Sequence, residues 1–220
     1  MTPTTLLNDD GKASMATLIM TSHHGFRRDL GRFAEVLAAF EPSRAPALAA
    51  AWKSFGEHLH GHHQVEDTGL FPSAAASHPQ LGAAIGELSK QHERIDPLLA
   101  RGAAAFEGLP ATLHEARRVV AELSGLLDVH LDLEEAAVIP TLRSAREFPP
   151  LDEAGADLYA QGFAWSLHGI APDVTEQILK LLPAALVSRL PAARAAFDAG
   201  CVGTFGSAAR ASASRTSIPR

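Results

Sequence analysis

Two stretches of this chain carry the same pattern of metal-binding side chains. His62-His63-Gln64-Val65-Glu66-Asp67-Thr68-Gly69-Leu70-Phe71-Pro72 matches His130-Leu131-Asp132-Leu133-Glu134-Glu135-Ala136-Ala137-Val138-Ile139-Pro140 position for position. Each copy reads His, three residues, Glu, a second acid, four residues, Pro. A lone histidine precedes each copy at nearly the same interval: His23 lies 39 residues before His62, and His92 lies 38 before His130. On a helix, residues i and i+4 are neighbours about 6 Å apart along the axis, so one His-x-x-x-Glu pair can reach a single metal centre. A glutamate between two ions can bridge them and offset part of their charge. Without a metal or a partner, such a buried carboxylate costs several kcal/mol. Four imidazoles and two carboxylates, His23, His62, Glu66, His92, His130 and Glu134, suit two first-row metals with room for an outside ligand.

These side chains need helices to aim them, and the sequence supplies helical periodicity. Apolar residues recur at three- and four-residue steps, and the breaks fall at Pro and Gly. A first helix is expected over 14–40, with the row Ile19, His23, Phe26, Leu30, Phe33, Leu37. A second runs from near Pro46 through Trp52, Phe55, Leu59 and His62 to about Glu66, closed by Phe71-Pro72. A third, over 79–106, has Leu81, Ile85, Leu88, His92, Ile95, Leu99. A fourth, over 110–146, has Val119, Leu123, Leu126, His130, Ala137. Each histidine occupies a place where the apolar stripe calls for a core residue, so four helices aim imidazoles at one axis. The fold expected is all-α, an up-down-up-down antiparallel four-helix bundle with extra C-terminal helices.

The order H–HxxxE–H–HxxxE, with Pro after each HxxxE, resembles the hemerythrin-like (HHE cation-binding) family over about residues 14 to 146. Ser22-His23-His24-Gly25-Phe26-Arg27-Arg28-Asp29-Leu30 resembles that family's first helix, where the ligand histidine precedes an Arg pair. The resemblance implies two Fe ions, bridged by an oxo or hydroxo group and two carboxylates, and carries over to the six residues above. One departure bears on activity. Oxygen carriers of the family have HxxxH on the third helix, where this chain has His92 and Asp96. Carriers also place the last carboxylate five residues after the histidine, which here is Glu135. Glu134 is preferred because it matches Glu66 in the repeat. His63 is a candidate for the missing imidazole, His58 for lining the pocket, and Asp67 and Asp96 for hydrogen-bonding the ligands.

Composition bounds the rest. A net charge of −6 without a long basic stripe argues against nucleic acid. One cysteine, Cys201, rules out disulfide frameworks and thiolate clusters and fits a reducing, cytoplasmic compartment. Asp9 and Asp10 stand where a secretory signal needs basic residues, and no apolar run approaches the ~20 residues of a membrane span. Of eleven histidines, ten fall between His23 and His130, which concentrates the metal chemistry in the bundle.

Beyond Pro149-Pro150, residues 147–202 read as shorter helices over 152–168, 172–182 and 184–199, the last interrupted by Pro191. Their apolar faces suit packing on the bundle, a second copy or a protein partner. From Gly203 to 220 the Gly, Ala, Ser and Arg content predicts a disordered tail.

Three functions are expected in order. The first is reaction with small oxidants, decomposing hydrogen peroxide or consuming nitric oxide, with no catalytic group beyond the metal site. The alternative is reversible O2 or NO binding, carriage or sensing. The last is iron storage or a structural metal bundle.

Overall fold

The computed structural model describes residues 6–206, and every regular element among them is helical. The helices are α1 (Met15–Ala38), α2 (Ala45–Val65), α3 (Phe71–Ser77), α4 (Gly82–Glu107), α5 (Leu113–Ala137), α6 (Glu153–Ser166), α7 (Pro172–Leu179) and α8 (Ala184–Phe205). No helix among the described residues is long and apolar enough to cross a membrane.

The chain divides into two compact units: Asp29–Val138, and residues up to Arg28 together with those from Ile139 on. The sequence-based boundary near residue 146 differs from this division, because the first half of α1 packs with the C-terminal helices. Ala13 and Leu18 share a core with Ala160 and Phe163 of α6, Ile178 of α7, and Leu186 and Leu190 of α8. Phe26 meets Trp165 at 4.8 Å, and a Cβ on Gly25 would lie 2.7 Å from that indole, so only glycine allows the approach.

In the Asp29–Val138 unit, α4 packs along α2 and α5. Trp52 stacks on Phe106 while His63 stacks on His92, so α2 and α4 run in opposite directions. Arg101 pairs with Glu122 while His92 meets His130, so α4 and α5 do likewise. An aromatic cluster of Phe33, Trp52, Phe55 and Phe106 fills one end of these helices. The histidines occupy the other.

Several helix ends differ from the sequence-based reading, each for a backbone reason. Phe71-Pro72 does not close the second helix. After Val65 the chain makes one π turn, Glu66–Leu70, and then continues as α3. Pro72 sits in the first turn of α3, where a missing N–H costs nothing. Pro140, its counterpart in the repeat, does end its helix: α5 stops at Ala137, and 139–142 form a 3-10 turn rather than helix to 146.

Pro191 lies inside α8 without interrupting it. Leu186 and Leu190 are buried in the α6–α7 core, and that packing offsets a cost of about 3 kcal/mol. The same helix runs to Phe205, past Gly203, where the tail was expected to begin. Residues 207–220 of that expected tail lie outside the described residues.

Candidate metal centre

The end of α2 and the π turn after it supply most of the site. A π turn, rare in itself, recurs at functional positions because it rotates the following side chains relative to an α-helix. Here the N–H of Phe71 donates to the carbonyl of Glu66, five residues back. Glu66 and Asp67 both turn to α4 and take the two nitrogens of His92: Glu66 Oε2 lies 3.3 Å from Nε2, and Asp67 Oδ2 lies 2.9 Å from Nδ1.

The ligand atoms fall into two overlapping groups, each within 4.8 Å. One comprises His63, Glu66, His92 and His130; in the other, His62 and Glu134 meet Glu66 again. Glu66 thus belongs to both. His62 Nε2 lies 2.7 Å from its Oε1. Glu66 is 1% exposed, and Glu134 and His130 are fully buried.

The hydrogen bonds around the imidazoles fix their tautomers. His92 Nδ1–H donates to Asp67, and His130 Nδ1–H donates to Gln91 Oε1 at 3.1 Å. Both Nε2 atoms then turn lone pairs inward, 3.3 Å from each other. With a carboxylate oxygen beside them, this convergence of acceptors is stable only around an electrophile, a proton or a metal ion. His63 points the same way. Its ring is buried against His92 (3.9 Å) and His130 (5.2 Å), and neither of its nitrogens has a hydrogen-bond partner among the described residues. A buried imidazole without hydrogen bonds is costly unless a metal takes a nitrogen. The residues present therefore fit a metal site.

Electrostatics separates His63 from His92. Burial pushes the His63 imidazole down to about 2, and the charge of His92 reinforces it. For His92, burial also presses downward, but the hydrogen bonds to Glu66 and Asp67 outweigh it and raise the net value. A prediction follows for chelator-stripped protein. A histidine depressed in the folded state binds its proton only in the unfolded state, so stability falls once pH drops below the unfolded value of ~6.5. The raised His92 changes its contribution only above that value, and so does not flatten the slope below it. Acidification from pH 6.5 to 5 is expected to cost about 2 kcal/mol through His63. Urea unfolding at both pH values checks this, with His63→Leu expected to remove that part of the difference.

Of the residues singled out by sequence, the Asp29–Val138 unit brings together His62, His63, Glu66, His92, His130 and Glu134. His23 lies on α1 and is fully buried. Glu135 and His58 are half-buried and belong to neither group. Asp96 is exposed and faces His60 at 3.8 Å, away from the imidazoles. The first group brings the imidazole of His63, the candidate for the missing ligand, beside those of His92 and His130.

Gln91 escaped the sequence reading. It is 3% exposed, three residues after Leu88 on the core row, and a polar residue there beside a ligand was the available signal. Because such partners orient the metal-bound ring, Asp67→Ala is expected to weaken metal affinity about 10–100-fold, measured by competition with a chromophoric chelator.

A family model described as hemerythrin HHE cation binding domain matches residues 14–142. Searches of curated proteins and of solved structures each found no match.

Proposed function

The chain belongs to the hemerythrin HHE cation-binding family, and from that premise we propose that its two overlapping ligand groups hold two iron ions that consume a small oxidant, hydrogen peroxide or nitric oxide. The observation that carries this reading is Glu66, the one carboxylate common to both groups. In this assignment His63, His92 and His130 hold one ion. His62, Glu134 and His23 hold the other, His23 standing to His62 in the repeat as His92 stands to His130.

Bound iron would supply the redox electrons and the open positions that the side chains lack. The chain's own contribution is positioning and exclusion. Asp67 and Gln91 keep the Nδ1 protons of His92 and His130 and leave their Nε2 atoms to the metal. Burial of Glu66, His92, His130 and Glu134 keeps water out and restricts the reactant to a few atoms.

The test is metal analysis followed by turnover. Loaded protein is expected to contain two irons per chain and to evolve oxygen from excess peroxide, or to consume NO, over many cycles. Stoichiometric bleaching without turnover overturns the reading.

Reversible binding of O2 or NO is the second reading, and His63 favours it. By completing three imidazoles around one ion, it restores the complement that Asp96 withholds. Reduced protein that forms an oxygen adduct and releases it on deoxygenation would select this reading over turnover.

A further inference from the structure

A cavity of about 360 Å³ opens between α6, α7 and α8, and none of the metal-site residues lines it. Its size falls in the range of small-molecule sites, about 300–1,000 Å³. Leu167, Ile170 and Leu179 give it apolar walls, and the polar groups are Arg194, Thr175, His168, Glu176 and Asp198. Their partnerships decide what it takes. Glu176 is engaged by Lys180 at 2.8 Å, and Asp198 by His168 Nδ1 at 3.0 Å. Both acids at the rim therefore already have cationic or donor partners. Among the described residues the guanidinium of Arg194 has no ion pair or hydrogen bond, and the hydroxyl of Thr175, on a residue 8% exposed, makes no hydrogen bond either.

The walls are firmly built. Arg28 Nη1 donates to the carbonyls of both Trp165 and His168 at 2.8 Å, and its guanidinium lies over Trp165 and Phe197. That clamp fixes the chain between α6 and α7 where His168 enters the cavity. An unmatched guanidinium, an unused hydroxyl and apolar walls are complementary to one class of ligand. We propose that this cavity binds a small organic carboxylate with an apolar body, its carboxylate on Arg194 and Thr175 and its body against Leu167, Ile170 and Leu179.

The test titrates the full-length, metal-loaded protein with benzoate, benzamide and inorganic phosphate in a calorimeter. Benzoate is expected to bind saturably at one site per chain, and benzamide about tenfold or more weakly, because it lacks the charge. Arg194→Gln is expected to weaken benzoate about tenfold or more, Arg194→Lys to recover part of that loss, and Thr175→Val to weaken it a few-fold. Arg194 is half-buried on the surface of α8, so circular dichroism and metal content of the variants are expected to match the parent. Benzamide binding as tightly as benzoate overturns the proposal. So does undiminished benzoate binding by Arg194→Gln, which would place the ligand on the metal instead. Phosphate binding as tightly as benzoate overturns the apolar part of the assignment.

Discussion

Glu66→Gln is expected to strip the protein of both metal ions, while His63→Leu is expected to weaken only one. The asymmetry comes from the overlap of the two ligand groups at a single side chain. Glutamine keeps the shape but removes the negative charge that offsets two cations in a buried site, and one of its two terminal atoms becomes a donor that no metal accepts. Orienting partners of ligands are worth about 10–100-fold in metal affinity, so loss of the shared ligand itself is expected to reach at least the upper end for each ion. His63 belongs to the first group alone, where it packs on His92 and His130. Metal content after gel filtration against a chelator checks both variants. Near-equal loss in the two, or retention of one full equivalent by Glu66→Gln, would show that the carboxylate is not shared. Unchanged helical circular dichroism separates ligand loss from unfolding.

How much of this site could be read beforehand depended on what sets each position. Spacing along a helix is local, so His62 with Glu66 and His130 with Glu134 were legible as pairs from the i, i+4 rule. The repeat favours Glu134 over Glu135; Glu134 is fully buried and Glu135 half-buried. His63 is less legible, since its counterpart in the second copy is Leu131 and the repeat lends it no support. What brings it in is the stacking of α2 on α4, a tertiary fact. The π turn was invisible for a similar reason. Its register is fixed by Glu66 and Asp67 both engaging His92, and no local propensity encodes that. Proline misled twice. Pro72 and Pro191 are tolerated because one sits in the first turn of α3 and the other is held by packing, whereas α5 ends at Ala137, ahead of Pro140. The division of α1 between two compact units was also hidden, because its apolar row is continuous and says nothing about which partners cover each half.

The largest effect on folding is expected far from the metal ligands, at Gly102→Ala. Gly102 lies on α4 directly under the indole of Trp52, and a Cβ there would overlap the six-membered ring and sit 2.6 Å from Nε1. The indole cannot yield easily. It stacks on Phe106 at 4.6 Å, meets Phe33 edge-on at 5.3 Å, and donates its N–H to the carbonyl of Leu99 at 3.2 Å. Overpacking of this kind costs about 3 kcal/mol, and the better helix propensity of alanine returns about 1 kcal/mol, leaving a net loss of about 2 kcal/mol. Gly86, on the same helix, is exposed with nothing near its Cβ direction, so the identical substitution there is expected to stabilise by up to about 1 kcal/mol. Opposite signs for one substitution on one helix separate packing from propensity. Denaturant unfolding of stripped protein measures both without the contribution of bound metal. Trp52→Phe in the Gly102→Ala background is expected to recover part of the loss, because the smaller ring vacates the overlapped space. A double-mutant cycle with no coupling would show that the indole and the glycine do not share that contact.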